Sequence, residues 1–218
     1  MPTRVPSLQP GDRLVRDEFE RRYRATPGVK KAELLEGVVY MPSPARHDHG
    51  APHTALAGWL AVYRAGTPGV DYGTDLTVRL DHDNEPQPDL LLRRRDGGTS
   101  NVDADGYVAG PPELAIEVAL SSVSYDLHQK KHVYRRAGVA EYLVVRVQDA
   151  VVDWFALRQG EYERLPVGGD GILRSAVFPG LWLDVDALLR CDDAQLHAVA
   201  AQGLATADHA RFVDGLRG

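Results

Sequence analysis

A chain of 218 residues is long enough to bury one α/β core with room for a terminal extension. Its 44% hydrophobic and 26% charged content is that of an ordinary globular protein, and its single cysteine, Cys191, excludes an intrachain disulfide and a cysteine-based metal cage. A net charge of -6 argues against simple electrostatic coating of nucleic acid, although residues 147–218 hold 11 acids against 6 Arg and Lys while residues 86–146 hold 8 of each.

The first residues, Met1-Pro-Thr-Arg-Val-Pro-Ser-Leu8, lack the apolar segment of a signal peptide, and no apolar run approaches membrane-spanning length. With the cysteine usage, this predicts a cytoplasmic protein with no membrane partner. Residues 8–26 predict a short helix with Asp12 as N-cap, stopped by Pro27-Gly28. Ala32 to Met41 predicts two strands bent at Glu36-Gly37. His53 to Arg64 places Leu56, Trp59, Leu60 and Tyr63 at helical spacing. Asp75 to Leu80 alternates as a strand, with Leu76, Val78 and Leu80 on one face, and Asp89 to Arg93 predicts the next. Residues 96–112, rich in Gly, Asp, Asn and Pro, predict a long surface loop. Glu113 to Leu120 is continuously apolar enough for a central strand. A helix over Ser124 to Ala137 ends at Gly138. Strands over Glu141–Val147, Val151–Leu157 and Tyr162–Val167 follow, and the chain from Asp184 reads as helical. The expected fold is α/β, one domain with a mixed central sheet flanked by helices. Its expected division is an N-terminal helical extension (1–30), a core (31–190) and a C-terminal helical tail (191–218).

Two strands carry acids. Asp89 opens a run of three leucines, and Glu117 interrupts Leu-Ala-Ile-Glu-Val-Ala-Leu. A carboxylate bound for a core is costly unless a cation or a partner satisfies it. Read alone, Asp89 is equally a strand-start acid facing water or a cation ligand. Alternation puts Glu117 on one face with Glu113, Ala115 and Ala119, where small neighbours leave room for a ligand. On the following helix Asp126, Lys130 and Tyr134 share a face, and Lys131 is turned away by about 100°. Two acids and a lysine suit metal-dependent phosphodiester hydrolysis, in which the acids hold a hard cation and the lysine meets charge on water or phosphate. The competing account of Asp126 and Lys130 is a surface ion pair.

Histidines are the other candidates. His47, His49 and His53 lie close to Asp48, and three imidazoles can bind a transition metal. Polar residues at a helix entrance explain them more simply. His128-Gln-Lys-Lys-His132 has the spacing of a zinc-protease helix, but Gln129 replaces the general base. Arg93-Arg94-Arg95 can track a phosphate backbone or simply end a strand in solvent. Phosphate loops, nucleophile elbows and dinucleotide-binding glycines are absent from the sequence.

The order of strands and helices, with Pro88-Asp89, Pro112-Glu-Leu-Ala-Ile-Glu117-Val, Asp126 and Lys130, resembles the PD-(D/E)XK nuclease superfamily. The closer resemblance is to its large bacterial family of restriction-endonuclease-like proteins, and it covers roughly residues 12–190. It is carried by Glu33-Leu-Leu-Glu-Gly37, Ser43-Pro44 with His47, Ala137-Gly-Val-Ala-Glu-Tyr142 and a closing strand at Ser175-Ala-Val-Phe-Pro-Gly-Leu181. The resemblance implies a nuclease-like core with Asp89 and Glu117 as metal ligands, Lys130 as the third catalytic residue, and Glu33, His47 and Asp126 as accessory residues. It implies Mg²⁺, with Mn²⁺ as substitute, and no particular substrate; DNA is the partner expected of a nuclease-like core. A homodimer is expected, because cutting a duplex with one site per chain needs two sites or two visits. One departure stands out: the superfamily's lysine position, two residues after the second acid, is Ala119 here. The alternative function is therefore a nuclease fold without activity that binds nucleic acid or a protein partner.

Overall fold

The computed structural model describes residues 5–41, 47–120 and 122–216; Ser43 and Pro44 lie outside them. Helix α1 (Arg16–Arg24) comes first. Its N-cap residue is Val15, without a side-chain cap, so Asp12 does not cap it. Asp12 instead accepts a hydrogen bond from Gln9 N, because the chain around Arg13 pairs with Val38 before the helix begins. Strands β1 (Glu33–Leu35) and β2 (Val38–Tyr40) form a hairpin. Glu36 and Gly37 turn it with φ of 51° and 72°, the two positive values that a tight two-residue turn requires.

Helix α2 (His47–Gly66) starts earlier than its apolar spacing predicts and carries Pro52 within it. It buries Trp59, Leu60 and Tyr63. Strand β3 (Val70–Thr74) follows, and then the short β4 (Val78–Arg79). The predicted Asp75–Leu80 strand is thus only partly formed. The backbone turns through Asp75 at φ 52°, and Leu76 is exposed rather than facing the core. After β5 (Leu90–Arg94), the segment read as loop contains β6 (Asn101–Val102) and β7 (Val108–Ala109). These pair with β4 in a small three-stranded sheet. Its backbone partners compensate for sequence that lacks strand propensity.

Strand β8 (Leu114–Ala119) leads into α3 (Val123–Tyr125), a π-helical turn (Asp126–Lys130) and α4 (Lys131–Ala137), closed by Gly138. Strands β9 (Glu141–Arg146), β10 (Val151–Arg158) and β11 (Glu161–Arg164) follow. Two further strands, β12 (Ile172–Arg174) and β13 (Trp182–Asp184), flank the expected closing strand at Ser175–Leu181, which is itself a turn. Glu141 explains the turn: its carboxylate accepts from Ser175 Oγ at 2.7 Å and from Ala176 N at 2.6 Å. Helices α5 (Val185–Leu189), α6 (Asp193–Leu204) and α7 (Ala207–Gly215) end the chain.

The main sheet has six strands in the order β11-β10-β9-β8-β5-β3. Only β8 and β9 run parallel within it, as their helical crossover requires. The α/β fold with a mixed sheet is therefore as the sequence predicts. On one face Leu90, Leu92, Leu114, Ile116, Val118, Leu143 and Trp154 pack against α2, α5 and α6. On the other, Ala115 and Ala119 lie against Tyr134 and Tyr142. Register sets the site: Leu90 pairs with Ile116, so one step further Asp89 faces Glu117 across the two strands. Among the described residues no helix is long and apolar enough to cross a membrane.

Candidate active site

Glu117 sits in β8 on the small-residue face, under α4, and is 3% exposed. Lys130 Nζ lies 2.9 Å from its Oε1, and Tyr134 Oη donates to the same oxygen at 3.1 Å. The π-helical turn produces this convergence. Lys131 N donates to Asp126 O, a bond one residue longer than the α-helical one. The widened turn ends on Lys130, and Tyr134 follows one α-helical turn later on the same side. Lys131 is directed elsewhere, with Nζ 3.5 Å from the centroid of the Phe155 ring.

Glu33 arrives from the separate hairpin. Its Oε1 lies 2.9 Å from Lys130 Nζ and accepts from Gln87 N at 2.7 Å. Lys130 thus holds two buried carboxylates from two different sheets. Asp126, 2% exposed, accepts from Ser122 Oγ at 2.5 Å. It is a buried neighbour of Lys130, and the two form no surface ion pair.

Asp89 lies at the outer edge of this group. Its Oδ2 accepts from Val118 N at 2.8 Å, which ties it to β8 beside Glu117. His49 Nε2 is 3.3 Å from the same oxygen. Lys31 Nζ stands 3.4 Å from Asp89 Oδ1 and 3.2 Å from Asp75 Oδ1. His53 Nε2 is 3.1 Å from the Asp89 carbonyl oxygen and 3.7 Å from Asp75 Oδ2. His53, Asp75 and Asp89 offer ligand atoms within 4.8 Å of one another.

The electrostatics divide the two acids. Burial opposes the Asp89 charge, but His49, Lys31 and the Val118 N–H hold its carboxyl well below the ordinary range. Burial pushes the Glu117 carboxyl up, Lys130 opposes this, and the charges of Asp89, Asp126 and Glu33 add to it. Burial also raises Asp126. For Lys130 burial works against the ammonium, but Glu117, Glu33 and Asp126 outweigh it and keep the group charged. Buried carboxylates therefore outnumber the ammonium groups that meet them. Such a hard-oxygen donor set suits Mg²⁺ or Mn²⁺.

The structure brings Asp89, Glu117, Lys130, Glu33 and Asp126 together. It does not bring His47, whose side chain is 93% exposed and 3.8 Å from Asp48. His49, two residues on, reaches Asp89 in its place. Helical i,i+4 spacing aims His53 the same way, so the histidines read as polar helix-entrance residues cluster at an acid. That spacing was the signal available for them; Lys31 and Asp75 carried none. Arg93 does not face solvent: it is 5% exposed and donates to Ser100 Oγ at 3.2 Å and Ser100 O at 3.1 Å.

The fold is that of a nuclease-like α/β protein. Residues 16–186 match the Uma2 family, described as "Putative restriction endonuclease", and the chain belongs to that family. Among solved structures it is similar to the crystal structure of "a putative nuclease belonging to DUF820" from Anabaena variabilis ATCC 29413. The TM-score is 0.64 at 17% identity, over 82% of this chain and 98% of that one, a likeness of fold. No curated protein matches the sequence.

Proposed function

We propose that the protein is a divalent-cation-dependent nuclease that hydrolyses DNA phosphodiester bonds, with Asp89 and Glu117 as the cation ligands. The observation that carries this is the burial of Glu117, Glu33 and Lys130 in one hydrogen-bonded cluster beside Asp89. A bound Mg²⁺ or Mn²⁺ would polarise a phosphoryl oxygen and acidify water. The chain's own residues do the rest. Val118 N–H and His49 fix the Asp89 carboxylate. Lys130 and Tyr134 hold Glu117 by Oε1, and Oε2 is the atom we assign to the cation. Glu33 fixes the Lys130 ammonium, which faces the charge that develops during phosphoryl transfer.

A nuclease fold without turnover is the second reading. It is favoured by one observation: Lys130 is pinned between two carboxylates, while Ala119 at the superfamily's lysine position is fully buried in the core. Incubation with plasmid, single-stranded DNA and RNA in Mg²⁺, Mn²⁺ or EDTA separates the readings. We expect ion-dependent cleavage of DNA that falls to background in Asp89→Ala and Glu117→Ala. Absence of cleavage with every substrate and ion would reject the nuclease reading.

A further inference from the structure

We infer that Asp89 also closes an outer cation site with His53 and Asp75, built for a divalent transition ion rather than Mg²⁺. It rests on the nuclease reading only through Asp89, which the two sites share. His53, Asp75 and Asp89 offer donor atoms within 4.8 Å of one another, a little wider than the spacing of ligands on one ion. Ligands held at about 2.1 Å lie about 3.0 Å apart in octahedral and about 3.4 Å apart in tetrahedral geometry. His53 Nε2 is 3.7 Å from Asp75 Oδ2 and is held 3.1 Å from the main-chain carbonyl oxygen of Asp89, which keeps it beside the Asp89 carboxylate, so an inward movement of Asp75 completes the set. Asp75 has that freedom, since its side chain is 55% exposed. The same exposure opens the site to solvent, whereas Glu117 lies deeper, 3% exposed.

A second observation marks the place as cationic. Lys31 Nζ stands between Asp75 Oδ1 and Asp89 Oδ1, at 3.2 Å and 3.4 Å. The ammonium is the resident charge that a divalent ion displaces, and its long stem lets it swing into water. His49, 3.3 Å from Asp89 Oδ2, orients the carboxylate from behind as a positioning residue. The imidazole gives the selectivity. Nitrogen suits Co²⁺, Ni²⁺ or Zn²⁺, whereas Mg²⁺ prefers oxygen and keeps its waters. To bind, His53 turns from donating through Nε2 to presenting a lone pair there, with its proton on Nδ1.

Co²⁺ is the probe, because its visible absorption reports nitrogen ligation and coordination number in the intact protein without any substrate. Wild type should bind Co²⁺ with a band distinct from that of the aqueous ion. His53→Gln and Asp75→Asn, at solvent-accessible positions, should lose that band, while Glu117→Gln should keep it. Lys31→Met, which removes the competing ammonium, should tighten Co²⁺ binding. A band unchanged in both His53→Gln and Asp75→Asn overturns the outer site, as does a wild type without any band. A band lost only in Glu117→Gln also overturns it, while leaving the nuclease reading intact. Weaker binding by Lys31→Met overturns the displacement of the lysine. A band that behaves as expected in a protein that cleaves nothing rejects the nuclease reading alone.

Discussion

Lys130 is fully enclosed and answers two carboxylates at 2.9 Å each, so its removal leaves Glu33 and Glu117 facing one another without compensation. Breaking a buried pair in this way costs about 3–5 kcal/mol. Lys130→Met should therefore melt several degrees below wild type, and added Mn²⁺ should recover part of the loss by replacing the missing charge. Lys131→Met should lose only a cation–π contact of about 0.5–1 kcal/mol. Equal melting temperatures for the two variants would contradict the geometry. Glu141 supplies a pH test. Burial, against the hydrogen bonds from Ser175 and Ala176, pushes its carboxyl from 4.5 to about 7. The folded state then holds the proton more tightly than the unfolded one, so its contribution is full below 4.5 and is lost as pH rises through about 7. Urea melts on either side of that window should show stability falling with pH, and Glu141→Gln should flatten the slope. How far the sequence betrays such residues depends on context. Glu117 is legible because a carboxylate inside Leu-Ala-Ile-Glu-Val-Ala has no cheap place to go. Lys31 and Asp75 are illegible because each looks like an ordinary solvated charge, and only the fold sets them 3.2 Å apart.

The hairpin, the π-helical turn and the central strands meet at the site, and they were not equally visible. Strand β8 announces itself by continuous apolar character, and the β1–β2 turn by Glu36-Gly37. Strand β3 does not: Val70, Tyr72 and Thr74 favour a strand, but Asp71 and Gly73 interrupt them, and the segment is held by pairing with β5. The π-helical turn is invisible to a periodicity of 3.6, yet it decides where Lys130 lies. The β1–β2 turn offers a direct test. Gly37 has φ 72°, and an added Cβ would meet Leu14 O at 3.3 Å. Gly37→Ala should cost about 1–2 kcal/mol from the left-handed backbone alone. Because β1 carries Glu33, the same change should also weaken Mn²⁺ binding, measured by calorimetry.

The C-terminal helices belong to the same packed body as the sheet. Leu196 and Ala200 of α6 lie in one apolar cluster with Trp59 and Leu60, and His209 of α7 bonds Thr67 Oγ1 at 2.9 Å. Gly203 approaches the backbone of Gly180 so closely that an added Cβ would sit 2.1 Å from its carbonyl oxygen. Gly203→Ala should lower the melting temperature, and calorimetry of the wild type should show a single transition that includes the tail. For assembly we expect a homodimer, and light scattering that reports a monomer at micromolar concentration would reject it. The ion pair that joins the hairpin to the main sheet also has a consequence in time. During synthesis Glu33 leaves the ribosome long before Lys130 exists, so the hairpin cannot bury its acid at its final address until the crossover helix is made. The cluster therefore cannot close until more than half of the chain has been made, and a chain terminated before Lys130 carries no finished cluster.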